Sequence, residues 1–218
     1  MAERKKKEIS IPSYSLGEEL FNAISHGLGA LLSVAALVLM LIRARDALGV
    51  TTAAIFGTSM IFLYTISCVY HALSPGLRGK KVLRVLDHCS VFLLVFGTYI
   101  PASLLGVSGV RGWLLFGLVA FFTALGIVFT VLDLERYQFA AVICQLLSGW
   151  SILMGVSNLR AAIGLQGLIW MIAGGVMYTI GAILYGIGKN RKYYHSIFHV
   201  FCLLGTFCHF WAIYKYLL

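Results

Sequence analysis

Charge is scarce in this chain. Only 11% of its 218 residues are Asp, Glu, Lys or Arg, against about 25% in an ordinary soluble domain. Acidic residues are the scarcest of these, 8 against 17 basic ones. Proline occurs three times, and no polar stretch is long enough to make a second, water-soluble domain. The low charge and high apolar content exclude a disordered chain, which needs the opposite balance. The cysteines Cys68, Cys89, Cys144, Cys202 and Cys208 form no CxxC pair and fall in or at the ends of apolar stretches. They read as small buried hydrophobes rather than as a disulfide scaffold.

What the chain has in quantity is apolar surface. Hydrophobic residues make up 60% of it, and its mean hydropathy is +0.91. The apolar residues fall in runs at 20–42, 50–72, 86–107, 112–132, 138–158, 164–187 and 197–217. Each is close to the roughly 20 residues that a helix needs to cross a bilayer, and about twice a barrel strand. A helix also pairs its own backbone groups where no water can. The runs therefore predict an all-α, polytopic membrane protein: a seven-transmembrane helix bundle at 19–218 behind a basic tail at 1–18. The first run is too long for the core of a signal peptide. The boundary at 108–111 is the weakest, and Pro101 falls within the third run.

The formal net charge is +9. Its cations lie between and around the apolar runs, which points to anionic headgroups and topology rather than nucleic acid. With the N-terminus inside, one side holds Arg4, Lys5, Lys6, Lys7, Arg78, Lys80, Lys81, Arg84, Arg136, Lys189, Arg191 and Lys192. The other holds Arg43, Arg45, Arg111, Arg160 and Lys215. Twelve against five predicts a cytoplasmic N-terminus.

Ionisable residues in or beside a span are costly and so are functional candidates. They are His26, His71, Asp87, His88, His195, His199 and His209. The predicted topology brings His71, Asp87, His195 and His199 to the cytoplasmic side. His195 and His199 are spaced i, i+4, which puts both imidazoles on one helix face. His71 from the second span would make three neutral ligands with a fourth position open, the donor set of a catalytic zinc. Asp87 could then act as general base, and Ser67, one turn before His71, could hydrogen-bond the water or a developing oxyanion. Each residue alone has an ordinary reading: Asp87 as a helix N-terminal carboxylate, Ser67 as a packing or back-bonding serine. Their convergence favours the metal. His209, about 21 Å further along the last span, falls outside the cluster. His26 is a candidate outer or alternate ligand, and His88 is expected to face a loop or headgroup.

The segments Ser67-Cys68-Val69-Tyr70-His71, Leu86-Asp87-His88 and His195-Ser196-Ile197-Phe198-His199 together resemble the hemolysin III family. This is the bacterial branch of the progestin and adipoQ receptor family, related to adiponectin receptors and alkaline ceramidases. The stretch 19–30 (ELFNAISHGLGA) and the segment 205–210 (GTFCHF) carry the likeness further, from about residue 16 onward. The resemblance implies seven helices, a cytoplasmic N-terminus and a bacterial plasma (inner) membrane. It also implies zinc held by His71, His195 and His199, with Asp87 as the water-binding aspartate and Ser67 as the family's serine. Hormone-receptor signalling is not carried over, because only about 18 residues precede the first span.

Three functions fit these residues. One is an intramembrane hydrolase of a lipid amide or ester, its substrate entering from the bilayer. Another is a lipid-responsive sensor or regulator with structural zinc, which uses the same residues. The third is a pore-forming cytolysin, for which the spans lack a strong polar stripe. Membrane lipid is the expected partner in the first two, and nothing in the sequence sets an oligomeric state.

Overall fold

The structure, a computed structural model, describes residues 10–188 and 191–218. Four cations of the basic tail, Arg4, Lys5, Lys6 and Lys7, therefore lie outside the described residues, as does Lys189. The fold is all-helical: α1 (Leu16–Arg43), α2 (Ala47–Ala72), α3 (Arg78–Pro101), α4 (Gly109–Asp133), α5 (Gln138–Trp150), α6 (Val156–Ile187) and α7 (Tyr194–Tyr216).

Local chemistry sets the ends. α1 opens with a capping box: Ser15 Oγ accepts from the Glu18 N–H, and the Glu18 carboxylate accepts from the Ser15 N–H at 2.9 Å. Both orphan donors are thereby satisfied. Asp46 caps α2 by accepting from the Gly49 N–H at 2.7 Å, as a short acidic side chain does at that position. α3 ends at Pro101 and widens into a π-helical segment, Ala102–Val107. There the Ser108 N–H donates to the Ser103 carbonyl five residues back, at 2.8 Å. Ser108 (φ 53°) and Gly109 (φ 56°) are both left-handed, and they turn the chain into α4. The short gap at 108–111 is thus a tight turn.

Among the described residues, six helical stretches are long and apolar enough to cross a membrane. One of them, Gln138–Ile187, is 50 residues long. It contains two of the seven predicted runs, 138–158 and 164–187. It comprises α5, a 3₁₀ segment at Ser151–Gly155, and α6. Inside α6, Gly164 has φ 67° and ψ −179°, a conformation that no helix contains and that is open essentially to glycine alone.

Neighbours in sequence are neighbours in space, and α7 closes the ring by packing on both α6 and α1. The loosest seam runs between α5 and α6, which touch sparsely. One buried cluster lies between α1, α2, α3 and α7, around Met40, Phe56, Met60, Tyr64, Leu94 and Ile213. Another joins α3, α4, α6 and α7 around Tyr99, Val119, Leu159 and Met171. A polar chain crosses the first region: Tyr64 Oη meets Thr206 Oγ1 at 2.5 Å, and Tyr178 Oη meets the same hydroxyl at 2.6 Å. The outer faces expose Leu28, Leu31, Trp113, Leu114 and Phe121, an apolar surface suited to lipid. All five cysteines are free; Cys68 is half-buried and the others are buried.

Lys80 and Arg84 differ from their predicted place. Both lie inside α3 and are buried, so they are packing cations and not loop charges.

Candidate metal centre

His71 lies at the end of α2, and His195 and His199 lie in the first two turns of α7. The structure brings the three together, with one ring nitrogen of each within 4.8 Å of the others. His195 Nε2 is 3.3 Å from His71 Nε2 and 3.0 Å from His199 Nε2. His71 and His199 are buried, and His195 is half-buried.

This geometry tests the donor set for a cation. Imidazole nitrogens about 2.0–2.1 Å from a tetrahedral zinc lie about 3.3 Å from one another, which the two close pairs approach. Three lone pairs aimed at one point repel unless a proton or cation lies between them. The set fits a zinc-sized ion, and three histidines also suit other first-row metals.

Aromatic rings enclose the cluster. His26 stacks on His199 with ring centroids 3.7 Å apart, and Tyr64 meets His26 edge-on at 5.0 Å. On another side Tyr14 stacks on His195 at 5.0 Å and lies 5.8 Å from His71. Tyr14 precedes α1, in an extended segment tied down at Ser10. The Ser10 N–H and hydroxyl donate to Glu135, and Arg84 donates to the Ser10 carbonyl and to Glu135. The Ser10 hydroxyl bond holds the Glu135 carboxyl below its usual range. Burial pushes the Tyr14 phenol well up, so the ring lies over the histidines as a neutral phenol.

Asp87 and His195 line one end of a cleft with about 1180 Å³ of empty space, its open mouth included. The cleft runs between α3, α5, α6 and α7 past Tyr99, Trp150 and Tyr178 to His209, and its walls are almost wholly apolar. Ser67 is buried and neighbours Asp87.

The other histidines are dispersed. His209 contacts the Met171 carbonyl at 3.1 Å, well along α7 from the cluster. His26 adjoins the cluster through its ring face, and both its nitrogens lack partners among the described residues. His88 does not face a headgroup: its Nε2 meets Tyr185 Oη at 3.1 Å on the cleft wall. Sequence reasoning passed over Tyr14, Glu18, Glu19 and Lys80. Glu18 was readable as the fourth residue of an S-x-x-E capping signature. Glu19 was readable as a carboxylate at the mouth of an apolar run.

An all-helical membrane protein with a three-histidine cluster beside an apolar cleft is the class that fold and site define. The family model described as haemolysin-III related matches residues 14–210, and the chain belongs to that family. It is 32% identical over 204 residues to "Hemolysin-3" of Bacillus cereus, covering 92% of each chain. It is 33% identical over 206 residues to "Hemolysin-3 homolog" of Bacillus subtilis (strain 168), covering 93% of this chain and 96% of that one. A more distant likeness, 24% over 189 residues, is to "Adiponectin receptor protein" of Drosophila melanogaster, covering 72% of this chain and 38% of the other.

Proposed function

We propose that this chain is a zinc-dependent intramembrane hydrolase of a lipid amide or ester, with seven spans and a cytoplasmic N-terminus. One observation carries the reading: three convergent histidine nitrogens open beside a buried carboxylate at the end of an apolar cleft. The break at Gly164 supports seven spans. A straight helix of 50 residues would be about 75 Å long, more than twice the bilayer core of about 30 Å. Without the buried Lys80 and Arg84, the charge asymmetry still stands at ten against five. That favours a cytoplasmic N-terminus, with the histidines near the same face. The Bacillus relatives favour a bacterial plasma membrane.

Zinc held by His71, His195 and His199 would supply Lewis acidity and water acidified to a pKa of about 7. The chain's own residues do the rest. The cleft receives the acyl chain and excludes water from the scissile bond. Ser67 donates a hydrogen bond to the carbonyl oxygen as it gains charge. Asp87 takes the proton from water as its oxygen bonds to the carbonyl carbon, then returns that proton to the departing amine or alcohol. The sensor alternative keeps the same ligands with zinc structural and differs at Asp87. The almost wholly apolar cleft lining gives a cytolysin no water-compatible path along it.

Elemental analysis of detergent-purified protein tests the reading. About one zinc per chain is expected in the parent and in Asp87→Ala, and little in His71→Ala or His195→Ala. Hydrolysis of a panel of long-chain amides and esters should fall at least ~100-fold in Asp87→Ala. Natively folded parent protein without metal would overturn the proposal. Metal binding without hydrolysis would favour the sensor.

A further inference from the structure

Two consecutive glutamates open α1, and each reaches a different histidine-bearing helix. Successive helix residues point about 100° apart, so one helix end can serve two neighbours. Glu18 Oε1 accepts from the Tyr193 N–H at 2.7 Å, at the residue where α7 begins. Glu19 Oε2 lies 2.6 Å from His71 Nδ1. The other oxygen, Oε1, accepts from Lys80 Nζ at 2.6 Å. Lys80 is fully buried; it donates a second bond to the Leu73 carbonyl at 2.6 Å and lies over the Tyr70 ring at 5.2 Å.

The pairing has a chemical direction. A carboxylate only accepts, so Nδ1 of His71 must carry the proton that bridges it to Glu19. In the neutral imidazole the lone pair then falls on Nε2, the nitrogen that faces His195. By contrast, Nδ1 of His195 has no hydrogen-bond partner among the described residues. Stability alone is a poor reason for this arrangement. A buried ion pair is often matched or exceeded by a well-packed apolar pair of similar volume. A carboxylate behind a metal-binding imidazole does something an apolar pair cannot: it sets the tautomer and aim of the ring and raises its basicity.

We infer that Glu19, braced by Lys80, is the positioning residue of the histidine cluster, fixing His71 as the Nδ1–H tautomer with its Nε2 lone pair turned toward His195 and His199. The metal part of this inference rests on the proposed zinc site; the tautomer part does not. Glutamine at position 19 has one acceptor end and cannot serve both His71 and Lys80, so Glu19→Gln isolates the effect.

The test uses the full chain in detergent, labelled with ¹⁵N-histidine and stripped of metal, with His71→Ala identifying the resonances. The parent should show His71 as the Nδ1–H tautomer, and Glu19→Gln should lose that signature. In zinc titrations against a chromophoric chelator, Glu19→Gln should bind about 10–100-fold more weakly. An Nε2–H tautomer or an imidazolium in the parent would overturn the inference, and needs no variant that folds. So would a Glu19→Gln protein with parental tautomer and affinity. A Glu19-dependent Nδ1–H tautomer in a parent that binds no zinc would uphold the role of Glu19 and overturn the zinc reading instead.

Discussion

Gly112 and Gly117 stand on the same helix, α4, in opposite circumstances. A Cβ on Gly112 would collide with the backbone carbonyl oxygen of Ser103, whereas one on Gly117 meets nothing within 4 Å. Backbone in a packed segment cannot move aside as a side chain tip can. Gly112→Ala is therefore expected to destabilise the fold by about 1–3 kcal/mol. Gly117→Ala should be neutral or slightly stabilising through helix propensity. Thermal unfolding midpoints in detergent compare the two. At this scale the sequence was informative where spacing is local. His195 and His199 are four residues apart, and the helix period alone puts them on one face. Glu19 could be read only as a carboxylate at the mouth of an apolar run, and not as the partner of His71 and Lys80, which lie 52 and 61 positions away. A lysine between two apolar runs also reads as a loop cation until the start of α3 is seen to enclose it.

The helices repeat this contrast on a larger length. Hydropathy located every apolar stretch, because lipid demands about 20 apolar residues from each span. It did not reveal that α5 passes through a 3₁₀ segment into α6, since the residues at 151–155 are as apolar as their flanks. The separation of the runs at 158 and 164 was visible, and the structure puts its sharpest departure at Gly164. Nothing lies within 4 Å of a Cβ at that position, so the demand there is conformational rather than steric. Gly164→Ala is expected to cost about 1–3 kcal/mol, read as a lower unfolding midpoint. Gly186→Ala, equally open but without the positive φ, should leave the midpoint nearly unchanged.

Across the whole molecule, the histidine cluster is reached from two unlike directions. The apolar cleft, lined from α3, α5, α6 and α7, leads to it from within the bundle. On another side, the segment at 10–15 crosses it, with Tyr14 on His195 and Ser10 fastened to Arg84 and Glu135. If zinc is bound as proposed, that segment covers the route open to a water-soluble chelator, since the cleft is almost wholly apolar. Tyr14→Ala should accelerate zinc loss to excess chelator several-fold, while equilibrium affinity changes much less. Stopped-flow absorbance with a chromophoric chelator separates the two. Equal release rates in parent and variant would assign the ring a packing role only.

The covering segment also makes Ser10 and Leu218 unequal as handles. A pull at Ser10 is a pull on the cover of the cluster, through contacts to Arg84 and Glu135. Whatever is joined after Leu218 sits beyond the far end of α7, about 35 Å from His195 along the helix axis. There a reporter or affinity label rides on the opposite face of the bundle from the histidines.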